Sequence, residues 1–210
     1  MTNVEHDDFL DCLRPSLESR LLVRFVDLNP RERVLDVGCG TGFIAFSLAR
    51  KFPLCQEIVG IDILDDKIRE ASEFLTRFRS LECHLRVPIR FLLHDANSIA
   101  PAGEPFDVVV SNPPFFEKDK SRPSPDLRRN IARQDHSLSL TGLFWCANIH
   151  LRTQGRLCLV YPAMRIDHLL QMAERFSFQN IRCEKQNEVR KRSGGICFME
   201  LIKTKSIENT

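Results

Sequence analysis

The chain has 210 residues, 43% of them apolar and 28% charged, a composition and length that suit one well-buried folded domain. No run approaches the roughly 18–20 apolar residues that span a bilayer, and the acidic start MTNVEHDDFLD is unlike a secretory or mitochondrial signal. The eight cysteines form no C-x-x-C pair and several sit in apolar runs (Cys158 in RLCLVY, Cys197 in GICFMEL), so disulfides and metal are not expected, and a reducing, cytoplasmic setting is.

In chain order, Asp8–Asp27 reads as an amphipathic helix, part of an N-terminal helical segment (1–30) that packs on one domain spanning 31–205. Apolar runs then predict strands at Arg33–Val37, Glu57–Ile61, Ile89–Leu93, Phe106–Ser111 and Arg156–Tyr161. Helical periodicity falls between them, at Gly42–Lys51, Asp65–Arg79 and Leu138–Leu151, and after the fifth strand at Ile166–Phe176. Two more strands, Gln179–Glu188 and Gly195–Lys203, follow with only the turn VRKRSGG between them. Strand-helix alternation predicts an α/β fold, a Rossmann-like doubly wound sheet of seven strands, mostly parallel with an antiparallel C-terminal edge strand. The long irregular segment is Asn112–Ser137, and a loop of that length inside a domain is usually functional or disordered.

Charge is unevenly spread although the net value is only +2. Residues 1–111 carry 13 Lys/Arg against 18 Asp/Glu, and residues 112–210 carry 17 against 10. The basic half begins at NPPFF, and a polyanionic partner would be steered to it.

After the first strand comes LDVGCGTGFIAFSLA, with Gly38, Gly40 and Gly42 at a strand-to-helix turn where a backbone can approach a ligand closely. A dinucleotide fingerprint would be G-x-G-x-x-G, but its third glycine position is Phe43 here. Asp36 at the mouth of the turn would also repel a pyrophosphate. A ligand with a sulfonium or ammonium and no phosphate suits that acid, and S-adenosylmethionine (SAM) meets both conditions. Gly60-Ile61-Asp62 ends the second strand twenty residues past Gly42, where a carboxylate can accept both ribose hydroxyls, with Ile63 next to it. His94-Asp95-Ala96 ends the third, placing Asp95 to accept the adenine amine of the cofactor. The expected cofactor set is therefore Asp36, Gly38, Gly40, Gly42, Asp62, Ile63, Asp95, Ala96 and Asn112. His94 is expected to orient its strand end, and Phe144 and Trp145 to be core.

DVGCGTG, GID, HDA and SNPPF, in this order, resemble a class I SAM-dependent methyltransferase over nearly the whole chain from Arg31 to Lys203. The segment DVVVSNPPFF then has a chemical reading. Methyl transfer to a planar exocyclic amine must overcome delocalisation of the nitrogen lone pair. Two acceptors aimed at its N–H bonds, the Asn112 amide oxygen and the Pro113 carbonyl, would draw the nitrogen toward a tetrahedral, nucleophilic form. Asparagine takes up no proton near neutral pH, so it remains an acceptor. The prolines fix the carbonyl in place, which is preorganised electrostatics. Phe115 can stack on the target base.

The resemblance implies that an [N/D]-P-P-[Y/F] motif methylates an amino group: N6 of adenine, N2 of guanine, N4 of cytosine, or a glutamine amide. Few residues precede the first strand, and there is no insertion sized for a DNA target-recognition domain, so RNA is expected. The loop EKDKSRPSPDLRRNIARQD, with Arg128, Arg129 and Arg133, suits phosphate contact beside the pocket. NPPFFEKD, RRNIARQDHSLSL and LRTQGRLCLVYPAMRIDHLL are similar to the bacterial tRNA1(Val) adenine-N6 methyltransferase family, which methylates the adenine 3′ of the anticodon. That similarity implies catalytic roles for Asn112, Pro113 and Phe115, and substrate contacts for Pro114, Phe116, Arg128, Arg129 and Arg133. The family's G-x-x-x-x-D stretch before its first helix is missing from PSLESRLL. Arg190, Lys191 and Arg192 form a further basic turn. Methylation of rRNA or of a protein glutamine stays open, as does a SAM- or RNA-binding protein without turnover; a monomer is expected.

Overall fold

Val, Ile and Leu fill the central strands, as parallel strands covered on both faces require. The computed structural model describes residues 9–81, 86–96, 98, 104–113, 138–187, 189 and 194–205. In chain order the elements are α1 (Leu17–Phe25), β1 (Arg33–Val37), α2 (Phe43–Lys51), β2 (Glu57–Asp62), α3 (Asp65–Leu81), β3 (Ile89–Leu93) and β4 (Phe106–Ser111). There follow α4 (Leu140–His150), β5 (Leu151–Pro162), a 3-10 turn (Ala163–Arg165), α5 (Ile166–Arg175), β6 (Phe178–Gln186) and β7 (Ile196–Lys203).

The seven strands form one sheet in the order β3-β2-β1-β4-β5-β7-β6. All neighbouring pairs from β3 to β5 are parallel, whereas β7 is antiparallel to both β5 and β6. The antiparallel C-terminal strand thus lies one place in from the edge, and β6 forms the edge itself. The reason lies in burial. β7 (ICFMELIK) is apolar on both faces and almost wholly buried, whereas β6 (FQNIRCEKQ) is mostly exposed and polar, which suits a sheet edge.

Two expected boundaries move. The helix expected over Asp8–Asp27 is broken: Arg14 turns left-handed (φ 49°), Pro15 has no N–H to continue the ladder, and Ser16 caps α1 by accepting from Ser19 N–H. The fifth strand begins at Leu151, directly off α4, earlier than the Arg156 that periodicity suggested. An irregularity around Gln154 (φ 66°) and Gly155 shifts the register, pairing Phe106 with Leu151 and Val108 with Arg156.

Alternate strand residues feed two cores. Val34, Ile58, Ile89, Val108 and Val110 face α1, α2 and α3, with Phe46, Phe74 and Phe78 packed ring against ring. Leu35, Val59, Ile61, Val109, Leu157 and Leu159 face α4 and α5. Phe144 lies fully buried in that second core, with Trp145 partly buried beside it. Among the described residues, no helix is long and apolar enough to cross a membrane.

Candidate active site

The strand order sets β3, β2, β1 and β4 side by side, so four carboxyl ends converge where ligands bind in open α/β sheets. Asp36 pairs in register with Gly60 on one side and Val110 on the other. Continued two residues, that register sets Gly38 between Asp62 and Asn112. Ser111 Oγ ties the two strand ends, donating to the Val37 carbonyl at 2.8 Å.

Gly38, Gly40 and Gly42 all have positive φ (72°, 53° and 85°), which explains glycine at each. Their surroundings separate them. A Cβ on Gly40 would meet nothing within 4 Å, so this turn is open for a ligand to approach. A Cβ on Gly42 would fall 2.6 Å from Phe91 and 2.8 Å from Phe46. Gly42 therefore makes room for the core, and so does Gly60, whose Cβ would also lie 2.6 Å from Phe91.

Asp62 is built into the turn. Its carboxylate accepts from Gly40 N–H at 2.9 Å and from Leu64 N–H at 3.0 Å, one bond per oxygen. Each oxygen keeps a second lone pair, so the group can still accept two hydroxyls. Ile63, partly buried, follows directly. At the end of β3, His94 N–H donates to the Asp62 carbonyl at 2.9 Å. The Asp95 carbonyl closes a turn with Ser98, and Ala96 is buried in the α4-side core.

Asp36 differs from its neighbours. It is 0% exposed, and neither carboxylate oxygen has a hydrogen-bond partner among the described residues. The Ala45 amide in the first turn of α2 points toward it and lowers its pKa slightly without meeting hydrogen-bond geometry. Burial, then the charge of Asp62, pushes the pKa up from 3.8 to about 7. A buried carboxylate without a partner is complemented by a cation, and a sulfonium or ammonium ligand supplies one. The residues present therefore fit SAM. Among the described residues, no group of three or more His, Cys, Asp or Glu could hold a metal ion.

At the end of β4, Asn112 Nδ2 donates to Ser19 Oγ at 2.9 Å and to Ser16 Oγ at 3.2 Å. The segment carrying those serines also spans the glycine turn. The Leu13 carbonyl accepts from Thr41 Oγ1 at 3.4 Å, and the Arg20 guanidinium stands 5.5 Å from the Phe43 ring centroid while pairing with Asp11 at 2.6 Å. Sequence reading missed Ser16 and Ser19 as site residues. The cap at Ser16 is readable in PSLES, but nothing local says that its hydroxyl meets a residue 96 positions away.

The structure thus brings Asp36, Gly38, Gly40, Asp62 and Asn112 together, with Pro113 directly after. Pro114, Phe115, Phe116, Arg128, Arg129 and Arg133 lie outside the described residues, as do Arg190, Lys191 and Arg192.

Comparison with known proteins agrees with this fold. A family model described as "Methyltransferase domain" matches residues 28–193. A tRNA1(Val) (adenine(37)-N6)-methyltransferase of Porphyromonas gingivalis is 33% identical over 138 residues, 66% of this chain and 52% of that protein. One of the same name from Trichodesmium erythraeum is 29% identical over 180 residues, 85% of this chain and 71% of that one. The chain thus spans about half the length of the Porphyromonas relative. Among solved structures, TrmN from Thermus thermophilus superposes with a TM-score of 0.62 at 23% identity, covering 92% of this chain and 51% of that one. NSun6 from Pyrococcus horikoshii gives 0.66 at 14%, covering 91% and 53%. Fold, turn and family model converge: the chain belongs to the methyltransferase-domain family, in its class I form, whose methyl donor is S-adenosylmethionine.

Proposed function

We propose that the protein transfers a methyl group from SAM to an exocyclic amine of RNA, N6 of an adenine, and that this adenine is position 37 of tRNA1(Val). One observation carries the reading: Asn112 stands at the end of β4 beside the open glycine turn, its Nδ2 taken by two serines and no described residue donating to its Oδ1. The names of the curated relatives support the choice of substrate.

When bound, SAM supplies an electrophilic methyl carbon on a sulfonium. The chain's own residues bind and orient. Asp62 would accept the ribose hydroxyls, Asp95 the adenine amine, with Ile63 and Ala96 alongside, and Asp36 would face the positive charge. Gly38 and Gly40 would give the close backbone approach. Asn112 Oδ1 and the Pro113 carbonyl would accept the two N–H bonds of the target amine, localising its lone pair. Phe115 would stack on the base, with Pro114 and Phe116 as further substrate contacts. Positioning and preorganised acceptors then supply most of the rate, and neither acceptor has to titrate.

Asn112→Ala should leave SAM and RNA bound yet slow single-turnover transfer by about 10²–10³, roughly 2.7–4 kcal/mol. Transfer at the wild-type rate would overturn the amino-methylation reading. Replacing Arg128, Arg129 and Arg133 together by alanine should weaken tRNA binding and reduce the salt slope by roughly two to three units, with SAM affinity intact. An unchanged slope would remove that loop from the RNA interface.

A further inference from the structure

The side-chain amide of Asn112 is held from the far end of the chain. Its Nδ2 lies 2.9 Å from Ser19 Oγ and 3.2 Å from Ser16 Oγ. The two hydroxyls are themselves 3.1 Å apart, and Ser16 Oγ also accepts from the Ser19 backbone N–H as the cap of α1. We infer that Ser16 and Ser19 are positioning residues for the transfer: they take both N–H groups of Asn112 and so present Oδ1 as the acceptor for the substrate amine. The inference rests on the amino-methylation reading of Asn112.

Counting protons decides which way the amide faces. With Nδ2 toward the serines, one amide proton goes to each hydroxyl oxygen, and one hydroxyl proton closes the Ser16–Ser19 contact. Ser16 Oγ then accepts twice, from Ser19 N–H and from Asn112, which its two lone pairs allow. Turned over, Oδ1 would need both hydroxyl protons, and the 3.1 Å contact between the serine oxygens would be left with no proton. The first arrangement makes one more hydrogen bond. It also leaves the oxygen for the substrate, whereas the second consumes it.

A consequence concerns α1. The same segment that orients Asn112 touches the glycine turn through Leu13 and Thr41 and through Arg20 and Phe43. The N-terminal helix therefore links the donor side of the site to the acceptor side, in a chain whose PSLESRLL lacks the family's G-x-x-x-x-D stretch. Neither serine titrates, so the orientation holds at every working pH.

Ser19→Ala is the clean variant, because the cap of α1 uses the Ser19 backbone N–H and the Ser16 hydroxyl, and both survive. With an unmodified tRNA1(Val) transcript, the single-turnover rate should fall by about tenfold to a hundredfold, with KM for tRNA and Kd for SAM held within about twofold. Ser19→Thr, which keeps the hydroxyl, should return to within about threefold of wild type. A second readout needs no activity. The Asn112 side-chain NH2 pair, identified in a nitrogen-15 spectrum by its loss in Asn112→Ala, should shift and exchange faster in Ser19→Ala but stay in place in Ser19→Thr. An unmoved pair in Ser19→Ala overturns the inference whatever the wild-type enzyme does. So does a full transfer rate in Ser19→Ala when Asn112→Ala is inactive. A wild-type rate in Asn112→Ala instead sinks the amino-methylation reading, and the spectrum still decides whether the serines hold the amide.

Discussion

Two parts of one sheet bury carboxylates, with opposite partners. Where β5 meets β7, Arg156 reaches from between two acids, donating to Glu200 at 2.6 Å and to Glu32 at 2.7 Å. Arg182 Nε lies 3.0 Å from the other Glu200 oxygen, an ion pair off the hydrogen-bond direction, and its guanidinium also stacks 4.0 Å from the Phe25 ring centroid. At the end of β1, Asp36 is fully buried, and neither of its oxygens has a hydrogen-bond partner among the described residues. The paired acids are satisfied within the fold and tie the linker after α1 to the antiparallel extension. The unpaired one is a burial cost, which a cationic ligand facing Asp36, as proposed for SAM, would offset.

The largest effect should come from breaking the paired end. Arg156→Met leaves Glu32 with only its Asn29 donors and Glu200 with only the Arg182 ion pair, and should cost about 3–5 kcal/mol in urea unfolding while leaving SAM affinity unchanged. A loss under about 1 kcal/mol would mean that these glutamates behave as surface charges.

Next in size is Gly42→Ala. Its new Cβ would drive into Phe91 and Phe46 at 2.6 and 2.8 Å, an overpacking of about 1–3 kcal/mol beyond about 1–2 kcal/mol for the left-handed backbone. The loss should appear in stability, measured by the same unfolding curves.

Asp36→Asn should act the other way. Stability at neutral pH should hold or rise, whereas titration calorimetry should show SAM affinity lower by about 1.5–3 kcal/mol, the range for a bond to a charged group. The pH dependence is signed. Folded Asp36 keeps its proton up to about 7, against an ordinary 3.8, so the folded state binds more protons across that window. Its contribution to stability is then full below 3.8 and is lost as pH rises through about 7. The substitution should remove that decline. It should also abolish the weakening of SAM binding expected of the wild type as pH drops through about 7.

Gly40→Ala should have the smallest effect on stability, about 1–2 kcal/mol from the backbone alone, because its Cβ meets nothing within 4 Å. Its effect should instead be on SAM affinity. If Gly40→Ala and Gly42→Ala lost stability equally with affinity untouched, the division of that turn into a ligand side and a core side would be wrong.

Features with a local cause were legible in the chain. Left-handed turns favour glycine, and a run of three marks one strongly, so DVGCGTG placed the loop after β1. Buried parallel strands demand branched apolar residues, so Arg33–Val37 and Phe106–Ser111 appear where they were expected. Strand-end aspartates and the NPP stop are likewise local, and Asp36, Asp62 and Asn112 stand at the ends of β1, β2 and β4 where the motifs set them. Gly42 shows where this fails: its φ was inferable, but the two rings that fill its missing side chain belong to β3 and α2.

The sequence by itself determined the alternating α/β order, the glycine turn and the chemistry available at the end of β4, because each follows from backbone demands within a few residues. Tertiary structure alone decided that β7 inserts between β5 and β6, that Arg156 joins Glu32 across 124 positions, and that Ser19 meets Asn112 across 93. A serine hydroxyl or an arginine carries no address in the chain. Its partner is set by which hydrophobic faces pack together, and burying Leu22 and Phe25 of α1 in the core fixes where the first turn of that helix must stand.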